Sequence, residues 1–379
     1  MDIEVKNNNS IKEFAKDHIA VSSLESPLHA VRKDPKIISV LWFIGKRCNY
    51  DCSYCPSYTH DNFSLHIDKK KAFEFIDEIE KYSVSQEKTF KISITGGEPF
   101  VHPDFMEILK YISSKKNLTQ LVVVSNGSLP LDTYLKSLEY ITNLTISLHL
   151  EQNEKTINDT INKIINLNKN HTWINVNLMM LPNKLSKIKD IIKVFNSNNI
   201  KFVLAKIDPP VEDKQNTIQK GDLEKILEAE KNYLKNKFKI KTQYHSNLSD
   251  RHKIYYSAEE LDYIENFNNK NQWNNIKLHQ ENKTLEINTS ELVAKNLNSW
   301  KDWYCYIGID TLYVQHDGTI FRGSCMQGNI IGKIGKKINW PNSPLKCPIK
   351  TCVCNSDMIT RKVIDLKYKH LIDDNINHV

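Results

Sequence analysis

The sequence predicts an α/β fold built around a parallel sheet, because strand-like apolar segments alternate with amphipathic helical patterns from residue 38 to about residue 207. One such pattern places Phe105, Ile108, Leu109 and Ile112 at the spacing of a single helix face. Strands that are each followed by a helix pair in parallel, with the helices outside the sheet. The six predicted strands are Ile38–Ile44, Phe90–Thr95, Gln120–Val124, Leu144–Leu150, Ile174–Met180 and Phe202–Ile207.

The residues outside this region show weaker patterns. A short helical pattern runs from Ile11 to Ile19, and a helix is predicted from Asp222 to about Leu234. The segment that contains the second helix fits either a lid or a solvated insertion. A last helix is predicted around Ile364–Ile372 in the C-terminal tail. The predicted segments are a lead-in (1–37), the sheet region (38–207), the insertion (208–300), a cysteine-bearing extension (301–355) and the tail (356–379).

Length and composition describe an ordinary globular protein. The 379 residues can bury a large core in two domains, or in one domain with an appendage. The net charge of +7 is modest, and the lysines are scattered along helices instead of massed as in a nucleic-acid groove. No run of 18 apolar residues occurs, and residues 1–16 lack the apolar core of a signal peptide. We therefore expect a cytoplasmic protein without a nucleic-acid or membrane partner.

Eight cysteines fall in two groups, which is typical of metal ligands in a reducing compartment. The first group is Cys48, Cys52 and Cys55, with C-x3-C-x2-C spacing after a strand-like run. Three thiolates that hold a cubane iron–sulfur cluster leave one iron open to a small molecule. A zinc ion would need a fourth ligand from elsewhere in the chain. The spacing alone also allows a fortuitous cysteine-rich turn.

A second motif follows one strand–helix unit later, where the strand Ile92–Thr95 ends in Gly96, Gly97 and Glu98. Paired glycines let a backbone approach a ligand closely, and a carboxylate at this position suits an amino group. Together the two motifs resemble those of the radical SAM superfamily, in which the open iron of a [4Fe-4S] cluster binds S-adenosylmethionine (SAM).

The resemblance implies a partial (β/α)6 barrel, a TIM barrel that lacks two units, with its chemistry at the C-terminal ends of the strands. It makes Cys48, Cys52 and Cys55 the cluster ligands. The cofactor-binding residues that it implies are Tyr54 near adenine, Gly96, Gly97 and Glu98 at the methionine amino group, Ser147 at the ribose or carboxylate, and Ser125 and Asn126 at the end of the third strand.

Polar residues at other strand ends are the candidates for contact with substrate. His149 and Glu151 follow the fourth strand, and Lys206 ends the sixth. We expect these three residues to act as catalytic groups, because strand ends form the barrel mouth. The alternative is that they cap helices or form turns.

Five further cysteines surround a predicted β-hairpin. Thr311–Val314 is its first strand, and His316–Thr319 is a turn of the Asp-Gly kind. This arrangement resembles the twitch extension, a shorter relative of the SPASM extension, and both hold auxiliary iron–sulfur clusters. Five thiols suffice for one auxiliary [4Fe-4S] cluster; a structural zinc knuckle is the alternative. The candidate ligands are Cys305, Cys325, Cys347, Cys352 and Cys354.

The resemblance implies that SAM is cleaved reductively and that the resulting 5′-deoxyadenosyl radical abstracts hydrogen from a substrate. It also implies an electron donor of the flavodoxin or ferredoxin type. No cysteine occurs in the predicted barrel strands after Cys55 to return a hydrogen atom. We therefore expect net oxidation of a small polar, carbohydrate-like molecule. Epimerisation, modification of a ribosomal peptide and a non-enzymatic iron–sulfur module are the alternatives.

Overall fold

The computed structural model describes the ranges 30–32, 36–55, 60–171, 173–207, 256–270, 275–280, 284–289, 292, 297–352 and 354–372. Their contacts form two units. The barrel unit comprises Lys36–Asn271 and Ile307–Pro344, and the small unit comprises Met1–Pro35, Gln272–Tyr306 and Leu345–Val379. The helices predicted at Ile11–Ile19 and Asp222–Leu234 lie outside the described residues.

Six consecutive parallel strands form the centre of the barrel unit, as the alternating pattern predicts. They are β1 (Ile37–Phe43), β2 (Thr89–Thr95), β3 (Leu118–Ser125), β4 (Asn143–Leu148), β5 (Ile174–Met180) and β6 (Lys201–Lys206). Each predicted strand lies within two residues of its observed bounds. The α/β fold class is therefore confirmed.

The helices of the barrel unit cover one face of this sheet. They are α1 (Lys69–Ser85), α2 (Phe105–Ser113), α3 (Leu131–Ser137), α4 (Glu154–Asn170), α5 (Leu185–Ser197) and α6 (Ala258–Lys270). A short 3-10 helix, Pro99–Val101, precedes α2. The side chain of Asp68 accepts a hydrogen bond from the amide of Lys71 and so caps α1. The ring of Phe75 on α1 then packs edge-on against Trp42 of β1 at 5.4 Å.

The predicted hairpin is present, but its first strand joins the central sheet. β7 (Thr311–Val314) pairs in parallel with β1, and β8 (Thr319–Phe321) and β9 (Gly332–Lys333) extend the sheet as antiparallel strands. The result is one sheet of nine strands. Gly318 has a φ of 82°, which the turn requires and which glycine adopts without strain. The segment 301–355 is consequently distributed over both units.

The small unit is built on an antiparallel sheet of six short strands. In sheet order they are Leu345–Lys346, Tyr304–Cys305, Lys362–Val363, Ala30–Arg32, Asn275–His279 and Thr284–Asn288. Trp300, Trp303 and Met358 are buried in its core. A four-residue helix, Asn355–Met358, precedes the strand Lys362–Val363. The helix predicted in the tail is a 3-10 helix at Leu366–Leu371. None of the helices in the described ranges is long and apolar enough to cross a membrane.

Candidate active site

The three clustered cysteines lie in the loop that follows β1. The amide of Cys48 donates a hydrogen bond to the carbonyl of Asp61 (2.7 Å), and the amide of Asp61 donates to the carbonyl of Lys46 (2.9 Å). The amide of Cys55 donates to the carbonyl of Cys52 (3.0 Å), which closes a tight turn between these two thiols. We call residues 48–55 the cysteine loop. It lies at the edge of the sheet where the parallel strands end.

The thiols of this loop are difficult to ionise in the absence of a metal centre. Burial raises the pKa of Cys52 to about 12, and the charge of Cys55 adds to this rise. Burial also raises the pKa of Cys48. A metal centre supplies the positive charge that makes such thiols thiolates.

Across the described ranges, no three His, Cys, Asp or Glu side chains are placed to hold a single metal ion.

The two glycines after β2 lie directly against the backbone that leads into the cysteine loop. The amide of Gly97 donates to the carbonyl of Gly45 (2.9 Å). A Cβ atom on Gly97 would lie 2.2 Å from the carbonyl oxygen of Lys46 and 2.3 Å from that of Arg47. Gly96 has a φ of 141°, and its Cβ would meet the carbonyl of Gly45 at 2.5 Å. These glycines thus permit a close approach of two backbone segments. Their predicted contact with the SAM amino group stays a prediction.

Glu98 is buried, and both of its carboxylate oxygens accept hydrogen bonds from the protein. Oε1 accepts from the amide of Phe100 (3.0 Å) and the hydroxyl of Ser125 (2.9 Å), and Oε2 accepts from the amide of Asn126 (2.6 Å). Burial raises the pKa of this carboxyl to about 7, against the opposing effect of these hydrogen bonds. Glu98 therefore joins the end of β2 to the end of β3, and its contact with a SAM amino group also stays a prediction.

Asn126 connects the end of β3 to the first cysteine. Its Nδ2 lies 3.7 Å from the sulfur of Cys48 and donates to Oδ1 of Asn49 (3.0 Å). The side chain of Asn49 in turn donates to the hydroxyl of Ser128 (2.8 Å). The sequence predicts a cofactor contact for Asn126, and the structure places its amide beside a predicted cluster ligand.

His149 meets the second half of the cysteine loop. Its Nδ1 lies 2.5 Å from the hydroxyl of Tyr54 and 3.5 Å from the sulfur of Cys52. Burial lowers the pKa of His149 to about 4, so the ring is neutral near pH 7. Burial raises the pKa of the Tyr54 hydroxyl, which therefore stays protonated and donates to Nδ1.

Glu151 also binds the cysteine loop. Its Oε2 accepts a hydrogen bond from the amide of Ser53 (2.8 Å), and its Oε1 accepts a short one from the hydroxyl of the same residue. The structure therefore brings His149 and Glu151 together on this loop. Their catalytic role toward a substrate stays a prediction.

Ser147 lies on the sheet face opposite the helices. Along β4 and β5 the helix-facing residues are buried, while the alternate residues Thr145, Ser147, Asn175 and Asn177 are half-buried. The parallel register sets Thr145 beside Asn175 and Ser147 beside Asn177. Oδ1 of Asn175 is a buried oxygen that has no hydrogen-bond partner in the described part of the chain. This inner face thus carries four polar side chains on two neighbouring strands.

Lys206 does not join these residues. It is exposed, and it alternates onto the face of β6 that carries Phe202 and Leu204, which belong to the helix-facing core. The structure therefore gives no geometric support to the prediction that Lys206 acts at the barrel mouth.

Lys46 and His316 lie close enough for the charge of Lys46 to act on the imidazole, a proximity that the sequence analysis missed. Burial lowers the pKa of Lys46, while the charges of Asp61 and Asp317 oppose the change. Burial lowers the pKa of His316 to about 4, and the charge of Lys46 adds to this effect. These residues follow the neighbouring strands β1 and β7. The sequence signals only a hairpin turn at His316, so their proximity emerges with the pairing of β7 and β1.

Four of the five C-terminal cysteines belong to the small unit, whereas Cys325 lies in the barrel unit. Cys305 ends a sheet strand, and Cys347 directly follows another. Burial raises the pKa of Cys352 to about 12, and the nearby thiols of Cys305 and Cys354 add to the rise. No disulfide joins any of the eight cysteines, all of which lie in the described ranges. The small unit alone therefore has enough thiols for a four-thiolate site.

The region that carries this geometry matches a known family. Residues 42–207 match the family model described as "Radical SAM superfamily". The chain is similar to GTP 3′,8-cyclase from Clostridium perfringens, with 24% identity over 199 residues, which are 50% of this chain and 61% of that protein. It is also similar to the S-adenosylmethionine-dependent nucleotide dehydratase RSAD2 of Oncorhynchus mykiss, with 27% identity over 170 residues, which are 42% of this chain and 44% of that protein.

The chain thus covers less than two thirds of the length of each of these relatives. Among solved structures, Streptococcus suis SuiB bound to the precursor peptide SuiA has a TM-score of 0.46 at 14% identity. That match covers 90% of this chain and 72% of the other.

Proposed function

Because residues 42–207 match the radical SAM superfamily model, we propose that the chain is an enzyme that uses SAM and a [4Fe-4S] cluster to abstract hydrogen from a small polar substrate. Cys48, Cys52 and Cys55 would hold this cluster. When bound, the cluster supplies the electron that cleaves SAM to methionine and the 5′-deoxyadenosyl radical. The observation that carries the proposal is the set of contacts that hold the cysteine loop between the ends of β2, β3 and β4.

The residues around the cysteine loop position its thiols from three sides. The Gly96-Gly97 backbone supports the segment before Cys48, and Asn126 lies beside the sulfur of Cys48. His149 accepts from the Tyr54 hydroxyl near Cys52, as a neutral ring that adds no charge of its own. Hydrogen bonds of this kind orient ligands and tune a metal centre.

The polar inner face supports a substrate with hydroxyl or similar groups. The side chains of Ser147, Asn175 and Asn177 offer both donors and acceptors there, and Oδ1 of Asn175 has no hydrogen-bond partner among the described residues. A buried polar atom without a partner costs free energy, which a bound polar group would recover. Of the predicted catalytic residues, His149 and Glu151 border this face, and we retain them as candidate partners for substrate hydroxyls.

For the reaction type we infer a net two-electron oxidation. The substrate would lose a hydrogen atom to the 5′-deoxyadenosyl group, and the substrate radical would then lose one electron and one proton. An auxiliary [4Fe-4S] cluster held by C-terminal cysteines would accept that electron. Such a cluster is supported by the proximity of three thiols, because the charges of Cys305 and Cys354 raise the pKa of Cys352. A flavodoxin- or ferredoxin-type protein would supply the electron for SAM cleavage.

Two reciprocal variants test the cofactor assignments. Alanine at Cys48, Cys52 and Cys55 should remove about four irons of about eight and abolish 5′-deoxyadenosine formation. Alanine at Cys305, Cys347, Cys352 and Cys354 should remove the other four irons and leave SAM cleavage without substrate intact. Undiminished 5′-deoxyadenosine from the first variant would refute the assignment of the SAM cluster. About four irons with one zinc in the unaltered chain would favour a zinc knuckle.

Turnover in deuterated water tests the reaction type. Oxidation gives a product two mass units lighter, with no solvent deuterium at the reacting carbon. Epimerisation, the second candidate, incorporates one deuterium there and leaves the unlabelled mass unchanged. That outcome would overturn the oxidation.

A further inference from the structure

Lys362 of the small unit carries a charged side chain into the protein interior. The residue is 1% exposed and is one of the largest fully buried side chains of the described residues. Its ammonium donates to the carbonyl oxygens of Asp357 (2.5 Å), Thr360 (2.9 Å) and Met358 (3.2 Å). These three acceptors satisfy the three N–H groups and hold the ammonium in one position. The carbonyl groups are neutral, so they do not cancel its charge.

The side chain of Lys362 lies on the same face of the sheet as a candidate ligand of the auxiliary cluster. In the antiparallel register Lys362 pairs directly with Cys305, and side chains of directly paired residues project to the same side, about 5 Å apart at Cβ. Burial raises the pKa of Cys352, and the charge of the Lys362 ammonium is the largest effect that lowers it. This charge acts in the same direction on Cys347, after burial and a backbone hydrogen bond. Two acidic groups act in the opposite sense: Asp302 and Asp357 raise the pKa of Cys347, and Asp357 also raises that of Cys352.

We propose that Lys362 provides a fixed positive charge for the metal centre formed by the C-terminal thiols, and that it raises the reduction potential of that centre. This inference rests on the proposed auxiliary cluster. A [4Fe-4S] cluster with four thiolates carries net negative charge, and its reduction adds one more. A cation in a water-poor interior stabilises the more negative state, because the local dielectric screens it weakly. A higher potential suits a cluster that accepts an electron from a substrate radical.

A purely structural role predicts a different result. The three acceptors are carbonyls at or just after the end of the helix Asn355–Met358, where a lysine can satisfy unpaired groups. Replacement of Lys362 by glutamine retains N–H donors for these carbonyls but removes the charge. Replacement by arginine retains the charge. The two substitutions therefore separate capping from electrostatics.

The experiment uses the full chain with alanine at Cys48, Cys52 and Cys55, so that the auxiliary cluster gives the only iron–sulfur signal. Its potential is measured by dithionite titration followed by electron paramagnetic resonance. We expect Lys362→Gln to lower the ratio of reduced to oxidised cluster at a given potential at least tenfold, about 59 mV for a one-electron couple. Lys362→Arg retains the charge and should therefore keep the potential close to that of the chain with Lys362 intact. The exposed Lys367 is the matched control, and Lys367→Gln should leave the potential unchanged.

Normal iron content with an unchanged potential in Lys362→Gln would overturn the inference. So would equal loss of iron from the glutamine and arginine variants, because that result indicates a structural cap. Loss of iron from the glutamine variant alone would support it, since the charge would then be needed for cluster assembly. Absence of iron from the chain with Lys362 intact would instead contradict the proposed auxiliary cluster.

Discussion

Replacement of Gly97 by alanine should disturb the cysteine loop without disturbing the barrel. The added Cβ would lie 2.2 Å from the carbonyl oxygen of Lys46, about 0.8 Å inside the closest approach that real Cβ atoms show, and 2.3 Å from that of Arg47. Both neighbours are backbone atoms, so no rotamer change can relieve the contact. The segment that leads into Cys48 must therefore move by close to 1 Å. Overpacking of this size costs about 1–3 kcal/mol.

A displacement of about 1 Å in a positioned reactive group can cost about 10²-fold in rate. We therefore expect Gly97→Ala to lower the rate of 5′-deoxyadenosine formation about 10- to 100-fold, with circular dichroism unchanged. Rates are compared per iron bound, so that loss of cluster is separated from misplacement of the cluster. The matched control is Gly45→Ala, whose Cβ meets no atom within 4 Å. This control should retain the rate within about twofold.

Wild-type iron content and rate in Gly97→Ala would refute the reasoning. That result would mean that the close contact of the two backbone segments does not position the cysteine loop. Equal losses in Gly97→Ala and Gly45→Ala would also contradict it, because only the first has a steric cause in the structure.

Three further predictions concern groups that the fold brings together. Burial raises the pKa of Glu98 to about 7, so the protonated carboxyl stabilises the cluster-free fold below about pH 4.5 and this contribution is lost as the pH rises through 7. The free energy of unfolding in urea should therefore decline over this pH range, and Glu98→Gln should flatten the decline. Asp310→Ala should cost about 3–5 kcal/mol in the same assay, because it leaves the largely buried ammonium of Lys88, 2.7 Å away, unpaired. The double substitution Lys88→Met with Asp310→Leu should cost less, and equal costs would contradict the pairing of these two charges. Glu151→Ala frees Ser53 and should hasten the loss of iron to a chelator severalfold, and an unchanged half-time would show that this contact does not hold the loop.

Local sequence patterns located the strands and indicated the candidate cluster ligands. A strand or helix that buries one face shows this in the spacing of its own apolar residues, so β1 to β6 could be located within two residues. The spacing of Cys48, Cys52 and Cys55 and the Gly96-Gly97-Glu98 motif are also local, and they indicated the site before any contact was known.

The tertiary structure alone decided which of these segments meet. β7 pairs with β1 although more than 260 residues separate them, and this pairing sets His316 beside Lys46. The polar residues predicted at strand ends also differ in position. His149 contacts the cysteine loop, whereas Lys206 lies on the outer, helix-facing side of β6. The physical reason is the same in each case. The apolar pattern of a strand specifies which of its faces is buried, but its neighbours are selected by backbone hydrogen bonds and packing that are nearly independent of residue type.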